Sequence, residues 1–323
     1  MCATDLRLSV GDGYFLEIRK YGIFGLLYLK TEYIKDIEGV DMKLVMLTSE
    51  IARRFGDERA IEMIKSAGFD GYDYTMAEYN YDLLFNNENY KEYVKEIRKK
   101  ADELGIPCLQ AHAPSPLMRT LDQVLPLVPV FIRAIEITAI LGCKILVVHP
   151  GSFLTAEENK VHLYDKLLPY AKEMGVTIAT ENMFKWKDET ETETVPSACG
   201  TAQSFIEHID LINDSNFTAC LDIGHAEMVN CEGAAYMLRA LGHDRVGALH
   251  VHDNDLYDDL HTTPFVGKIN WEEVIQALKD IKYDGHFTYE NTLFFKNFPN
   301  ELLFNCLIFI EKIGRYLIKR IEE

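Results

Sequence analysis

The stretch ALHVHDND, residues 248 to 255, places His250 and His252 two positions apart and follows them at once with Asp253 and Asp255. Side chains alternate faces along a strand, so both imidazoles point the same way and the acids gather at the end of the strand. One explanation for polar residues at this point is structural, because a strand that leaves an apolar core must meet water somewhere. The other is chemical: we predict that His252 binds a divalent metal ion.

Acidic residues end three other segments that are rich in β-formers. Glu181 ends TIATE, Asp222 ends TACLD and Glu290 ends FTYE. Burying unpaired carboxylates is costly, and a shared cation is the simplest compensation. Together with His252 they form an oxygen-rich set, which suits Mn²⁺ or Mg²⁺ better than a thiolate-rich zinc site would. We predict one divalent ion, with Mn²⁺ preferred and Mg²⁺, Co²⁺ or Zn²⁺ as alternatives.

Most of the other histidines also follow the ends of predicted strands, where we expect them to contact a substrate. These are His112, His149, His225, His250 and His261. The remaining four lie in helical or connecting stretches or begin a strand, and packing or surface roles are expected for them. They are His162, His208, His243 and His286.

The elements that must position these residues repeat eight times. A short apolar segment rich in β-formers alternates with an amphipathic helical stretch, in units of roughly 30 to 40 residues, as a right-handed crossover between parallel strands requires. The predicted strands are 43–47, 71–75, 107–112, 144–149, 176–181, 218–222, 247–252 and 286–290. This pattern predicts an α/β protein with a single (β/α)₈ TIM barrel, whose active site lies at the carboxyl ends of the strands.

The barrel is expected to occupy residues 42–323 as one catalytic domain, since no linker rich in Pro, Gly or Ser divides it. Residues 1–41 fit no later pattern. We interpret them as an N-terminal extension outside the barrel, or as a mis-assigned start before Met42.

Composition excludes several classes of partner. The net charge of −18 argues against attraction to a phosphate backbone, so we expect no nucleic acid. Seven scattered cysteines without a close pair indicate reduced thiols in a cytoplasmic protein. No apolar run is expected to approach the roughly 20 residues that span a bilayer, and GIFGLLYL (22–29) is the nearest candidate. Self-association into a homo-oligomer stays open.

Eight short motifs occur in the order found in one superfamily. They are AGFDGYDY, QAHAPS, VVHPGS, TEN, LDIGHA, HVHDND, DLHTTPFVGKINWEEVIQALKDIKYDG and YEN. On these the sequence resembles the xylose-isomerase-like superfamily of sugar (phosphate) isomerases and epimerases, which also contains the apurinic endonucleases. The resemblance implies that Glu181, Asp222, His252 and Glu290 bind one metal ion. It also implies that His225 contacts substrate or metal, and that Glu181 and Glu290 act as acid/base groups.

The chemistry expected from this resemblance is proton transfer next to a carbonyl, through a metal-stabilised enediolate of a sugar or sugar phosphate. Carboxylates on opposite walls would give epimerisation, and one carboxylate on a single face would give aldose–ketose isomerisation. The sequence leaves both open. Trp186 is expected to pack on the apolar face of the sugar, with Phe184 and Tyr74 as alternatives.

Three other functions stay open. A related lyase could use His149 as an additional base. An apurinic-endonuclease-like phosphodiesterase would hold a zinc cluster, for which His112, His149, His225, Asp259 and His261 occupy matching motifs. The charge and the lack of a basic loop argue against that function. A barrel that binds sugar without turnover is the non-enzymatic alternative. The identity of the sugar, and whether it carries phosphate, is not determined by the sequence.

Overall fold

The computed structural model describes residues 42–116, 118–187, 194–228 and 231–323, together with the backbone of three strands nearer the N-terminus. The chain divides into two compact units, Met1–Val40 and Asp41–Glu323. The first contains an antiparallel sheet in the order β1-β2-β3. Its strands are β1 (Leu6–Ser9), β2 (Tyr14–Tyr21) and β3 (Leu26–Tyr33). That residues 1–41 lie outside the barrel as an appendage stays a prediction, which deleting them would test.

The second unit is built on eight parallel strands, and they confirm the eight that the sequence predicts. A two-stranded hairpin, β9 and β10, lies between the fifth and the sixth of them in the chain. In chain order the strands are β4 (Leu44–Leu47), β5 (Gly71–Thr75), β6 (Cys108–His112), β7 (Ile145–Val148), β8 (Thr177–Glu181), β9 (Phe184–Trp186), β10 (Thr194–Pro196), β11 (Phe217–Asp222), β12 (Val246–His250) and β13 (Phe287–Tyr289). The sheet runs β12-β11-β8-β7-β6-β5-β4-β13. A parallel bridge between Val251 and Tyr289 joins its two edges, so the fold is a TIM barrel, as predicted.

Helices cover the outside of the barrel. In chain order they are α1 (Ser49–Phe55), α2 (Asp57–Ala67), α3 (Tyr81–Phe85), α4 (Tyr90–Leu104), α5 (Leu121–Val124), α6 (Val128–Leu141), α7 (Ala156–Asn159), α8 (Asp165–Met174), α9 (Ala202–Ile212), α10 (Ile223–Ala226), α11 (Ala234–Leu241), α12 (Trp271–Asp280) and α13 (Asn300–Glu322). Helix α4 shows why the pattern works. Val94, Ile97 and Ala101 recur at three and four and are buried, and the left-handed Gly105 ends the helix.

One segment contradicts the prediction that no apolar run approaches the length of a membrane span. The helical stretch Leu121–Leu141 has 21 residues and a window of mean hydropathy 2.0, long and apolar enough by length and composition alone. Arg133 and Glu136 interrupt the segment, so it contains no unbroken run of apolar residues of that length. Phe131 and Ile135 of this segment are buried in the main hydrophobic core, and its apolar composition is the one that a core helix of a barrel needs.

The cysteines among the described residues are free thiols, in agreement with the sequence-based expectation. Five of the six are buried, and only Cys231 is partly exposed. Cys220 packs with three small apolar residues inside the barrel, namely Val147, Ala179 and Ala248. Burial raises the pKa of the Cys220 thiol to about 12. These thiols therefore fill the core as small apolar side chains.

Candidate active site

Four side chains from the carboxyl ends of the strands converge at the mouth of the barrel. We call them the barrel group: Glu181, Asp222, His250 and Glu290. Each offers one ligand atom, and these four atoms all lie within 4.8 Å of one another. His250 Nδ1 lies 3.2 Å from Glu181 Oε2 and 3.0 Å from Glu290 Oε2. Separations near 3 Å are those between neighbouring ligand atoms around a single small cation.

Strand register explains why these residues meet. Glu181, Asp222 and His250 are the last residues of β8, β11 and β12, and Glu290 directly follows β13. Asp222 is paired with His250 across the sheet. Asn182 joins β8 to β11, because its amide nitrogen donates to the Asp222 carbonyl at 2.9 Å and its amide oxygen accepts from the Asp222 N–H at 2.7 Å. The sheet itself therefore fixes the barrel group.

A second set of possible ligands lies on the segments that follow β11 and β12. We call it the loop group: His225, His252, Asp259 and His261. Asp259 is its centre, with Oδ2 at 3.0 Å from His261 Nε2 and at 3.5 Å from His225 Nε2. The rings of His252 and His261 are stacked, with centroids 4.0 Å apart. His252 Nε2 also lies 3.0 Å from Asp222 Oδ1, so Asp222 connects the two groups.

The motif LDIGHA builds the junction between the groups. The Asp222 side chain caps the short helix α10 by accepting from the His225 N–H at 2.6 Å, and His225 Nδ1 contacts the Asn182 carbonyl at 3.0 Å. Gly224 leaves room for a ring, since a Cβ atom there would lie 2.0 Å from His252 Cε1. A glycine is therefore required for the His252 imidazole to lie against this turn.

His112 and His149 extend the barrel group on the side of Glu181. The Nε2 atoms of His149 and His112 lie 3.2 Å and 3.8 Å from Glu181 Oε2. The His112 ring stacks on His250 with centroids 5.3 Å apart, and its Nδ1 contacts the Ala113 carbonyl at 2.6 Å. Both predicted substrate-contacting histidines therefore reach the same carboxylate.

Mutual attraction between carboxylates and imidazoles dominates the electrostatics of the site. Burial alone would raise the pKa of Glu181, but His250 and His149 hold it well below its usual value. Asp259 is likewise buried, and His261 and His225 hold its pKa well below the ordinary range. Burial alone would lower the pKa of His261, yet Asp259 raises it to about 10. Glu181 and Asp259 are therefore ionised at neutral pH.

Several buried polar atoms of the site have no hydrogen-bond partner among the described residues. In the barrel group these are Glu181 Oε2, Asp222 Oδ2, Glu290 Oε2 and both ring nitrogens of His250, and in the loop group they are His252 Nδ1 and Asp259 Oδ1. Buried polar atoms are rarely left without a partner, and a bound cation satisfies them. The oxygen-rich barrel group suits Mn²⁺ or Mg²⁺, whereas three imidazoles and a carboxylate suit Zn²⁺.

An aromatic hairpin borders the site. Strands β9 and β10 pair antiparallel and directly follow the Glu181 strand. Phe184 packs edge-on against His225 with ring centroids 5.1 Å apart, and Trp186 packs on Phe184 at 6.0 Å. Tyr74 is fully buried, and its hydroxyl donates to Asp57 at 2.6 Å. Of the three aromatic residues considered from the sequence, Phe184 is thus in contact with a site histidine and Trp186 is one ring further away.

The four metal ligands predicted from the sequence do not all fall into one group. Glu181, Asp222 and Glu290 do, with His250 as the fourth member, while His252 belongs to the loop group. Asp73 was missed. It lies in the middle of β5, is fully buried without a hydrogen-bond partner among the described residues, and its Oδ2 is 3.8 Å from His250 Nε2. The signal was a carboxylate in the middle of the predicted strand GYDYT, which is buried along its whole length.

Comparison with known proteins agrees with this fold. An uncharacterized protein of Methanocaldococcus jannaschii is 32% identical over 168 residues, which cover 49% of this chain and 54% of that protein. The chain spans about half the length of the curated relatives it matches. A D-tagatose 3-epimerase-like protein superposes with a TM-score of 0.67 at 23% identity, covering 87% of this chain and 98% of the other.

A second solved structure, D-allulose 3-epimerase from Methylomonas sp., superposes with a TM-score of 0.61 at 17% identity, covering 88% of this chain and 99% of the other. At these identities the structural similarity establishes the fold. The family model described as xylose isomerase-like TIM barrel matches residues 61–293, which include both groups of the site. The chain therefore belongs to the xylose isomerase-like TIM barrel family.

Proposed function

We propose that the protein is a divalent-metal-dependent sugar isomerase or epimerase that transfers a proton at the carbon next to a carbonyl. The observation that carries this proposal is the pair Glu181 and Glu290. These are buried carboxylates on two strands, each with an oxygen that lacks a hydrogen-bond partner among the described residues, and both lie beside His250. The fold shared with ketose 3-epimerases supports the same class of reaction.

The metal would be held by the barrel group and by His252, the ligand predicted from the sequence, which reaches that group through Asp222. A bound divalent ion would supply Lewis-acid polarisation of the substrate carbonyl and an adjacent hydroxyl. Mn²⁺ is the first choice on the oxygen-rich donor set, with Mg²⁺, Co²⁺ and Zn²⁺ as alternatives.

The side chains of the barrel would perform the proton transfer. Glu181 and Glu290 come from strands separated by β11 and β12, so they approach a bound sugar from two sides. Such a pair can remove a proton from one face and return one to the other, which favours epimerisation. His149 lies next to Glu181 and can orient a hydroxyl, and Phe184 packs against His225 at the border of the site.

Metal analysis of the purified protein, followed by solvent-deuterium exchange against ketoses, inositol-pathway ketones and 3-keto sugars, tests this proposal. We expect a divalent ion and deuterium at the carbon next to the carbonyl. Glu181→Gln should keep much of the metal and lose the exchange, whereas Glu173→Gln on the exposed face of α8 should keep both. Unaltered exchange in Glu181→Gln would refute the assignment, and loss of a substituent instead of exchange would indicate a lyase.

The loop group favours a second candidate, a phosphodiesterase with a zinc cluster. His225, Asp259 and His261 complete a set of nitrogen and oxygen ligands that a single-ion isomerase does not need. The net charge of −18 opposes binding of nucleic acid. About three zinc ions per chain with cleavage of abasic DNA would establish this candidate, and one exchangeable ion with sugar turnover would eliminate it.

A further inference from the structure

One acid of the motif HVHDND, Asp253, is buried without belonging to either group. The Asp253 carboxylate is fully buried, yet it belongs to none of the ligand groups among the described residues. Its Oδ1 accepts from the backbone N–H of Asn254 at 2.8 Å and of Ile269 at 3.1 Å. Its Oδ2 accepts from the Phe265 N–H at 3.0 Å and from Trp271 Nε1 at 2.9 Å. One buried carboxylate thus binds the start and the end of the loop 254–269.

The backbone of Asp253 adds a second attachment. It exchanges two hydrogen bonds with Thr262, of 2.8 Å and 3.0 Å, and the residue before Thr262 is His261. Gly267 has no room for a side chain, because a Cβ atom there would lie 2.2 Å from both Asp253 Oδ1 and the Asn254 carbonyl. The loop is therefore wrapped closely around this carboxylate.

The loop follows a path that its sequence does not favour by itself. Leu256, His261 and Phe265 have φ values of 76°, 39° and 72°, in a region that side-chain-bearing residues seldom adopt. Such a path persists only when surrounding contacts impose it, and the hydrogen bonds to Asp253 are contacts of this kind. Asp259 and His261 lie on this path and depend on it for their positions.

We propose that Asp253 is a positioning residue that holds the loop 254–269 in the conformation that brings Asp259 and His261 to His225 and His252. It acts through backbone hydrogen bonds and does not bind the metal. The inference rests on the proposed function only in taking His252, one member of the loop group, as a metal ligand. It makes the loop a rigid part of the site, formed before metal or substrate binds.

The test is Co²⁺ titration of the full-length, metal-depleted protein, followed by visible absorption, with amide hydrogen exchange of the loop measured in parallel. Asp253→Asn keeps the size of the side chain but places an amide N–H against backbone donors. We expect roughly tenfold or greater weakening of Co²⁺ binding, a changed Co²⁺ spectrum and faster exchange in 254–269. Unchanged Co²⁺ affinity and spectrum would overturn the proposal, even if the variant melts at a lower temperature.

Asp255→Asn is the matched control. Asp255 lies on the same loop and accepts from the Tyr257 and Asp258 N–H groups, so the change in charge is identical. An equal loss of Co²⁺ affinity in this control would also overturn the proposal. If Asp253→Asn does not fold, Trp271→Phe decides the question. It removes the Nε1 donor to Asp253 and keeps an aromatic, though smaller, side chain. It should weaken Co²⁺ binding in the same direction, whereas unchanged binding contradicts the role.

The readout also separates this inference from the proposed function. Weakened Co²⁺ binding in Asp253→Asn, in a protein that exchanges no proton of any ketose tested, would remove the isomerase and leave the positioning role. Proton exchange in the wild type, with Co²⁺ binding unaffected in Asp253→Asn, would support the isomerase and remove the positioning role.

Discussion

The barrel group and the loop group reach the same mouth by different means. Each member of the barrel group ends a strand or directly follows one, and its position is set by sheet hydrogen bonds such as the pairing of Asp222 with His250. In the loop group, Asp259 and His261 lie on a loop whose path depends on Asp253. Parallel strands at the centre of a barrel are the most rigid elements of this fold, and loops are the most variable.

The difference suggests a division of labour. The barrel group is mainly carboxylate and offers bases for proton transfer, whereas the loop group is mainly imidazole and offers nitrogen ligands. Asp222 belongs to the first and contacts His252 of the second. A substitution of Glu181 or Glu290, the proposed acid/base carboxylates, should therefore affect mainly the chemical step, and one in the loop group should affect mainly binding of metal or substrate.

Glu290→Gln is the sharpest test of this division. Removing one of the two acid/base carboxylates should lower kcat about 10³-fold, because general acid–base catalysis contributes on that scale. The change should leave KM much less affected, as measured by steady-state kinetics on the ketose found in the exchange screen. Glu301→Gln, on the exposed start of α13, is the control. A loss below tenfold would remove Glu290 from the chemical step and break the comparison.

His261→Gln should have a smaller effect on kcat. His261 Nδ1 contacts the Glu290 carbonyl at 2.8 Å and its Nε2 contacts Asp259. Its loss should therefore disturb the loop group and leave both proposed acid/base carboxylates in place. We expect metal affinity to fall about 10- to 100-fold, with kcat recovered at high metal concentration. If kcat stays as low as in Glu290→Gln under saturating metal, the two groups act as one cluster.

The contrast between residues placed by strands and residues placed by a loop also explains which parts of the site could be predicted from the sequence. Alternation along a strand identified the inward face, so Glu181 and Asp222 were found from their places at strand ends. Alternation gives the face but not the depth. His250 and His252 share a face, yet two residues of rise separate them by roughly 7 Å, and they therefore enter different groups.

The loop group was less accessible to sequence reasoning for a different reason. Asp259 and His261 were noted as matching motifs, but their positions depend on long-range hydrogen bonds to Asp253 and on the left-handed φ of His261. No periodic pattern encodes such a path. The eight strands, in contrast, each carry a local signal of β-forming residues, and all eight predictions were confirmed.

Binding of a metal ion by the loop group should release protons. Attraction to Asp259 raises the pKa of His261 to about 10 against the effect of burial, and Asp222 and Asp259 likewise raise the pKa of His225 well above its usual value. Both are protonated at pH 7 in the metal-free protein and must lose a proton to become ligands. Apparent affinity should rise about tenfold per pH unit for each proton released. Titration calorimetry in buffers of different ionisation enthalpy counts those protons, and affinity that is constant from pH 6 to 8 would contradict the expectation.

The smallest effect is expected at a histidine outside both groups. His208 is buried, and burial lowers its pKa against the opposing effect of the Ser204 carbonyl, which lies 2.7 Å from Nδ1. Its Nε2 faces the Asn159 amide. A histidine that is neutral when folded is protonated first in the unfolded chain. Its contribution to stability is therefore complete above pH 6.5 and decreases as the pH falls through the lowered pKa.

Urea unfolding of the metal-free protein between pH 7 and 5 should show a weaker loss of stability in His208→Gln than in the wild type. The exposed His243→Gln should follow the wild type. Equal slopes for His208→Gln and the wild type would mean that His208 is protonated in the fold, like the histidines beside the carboxylates.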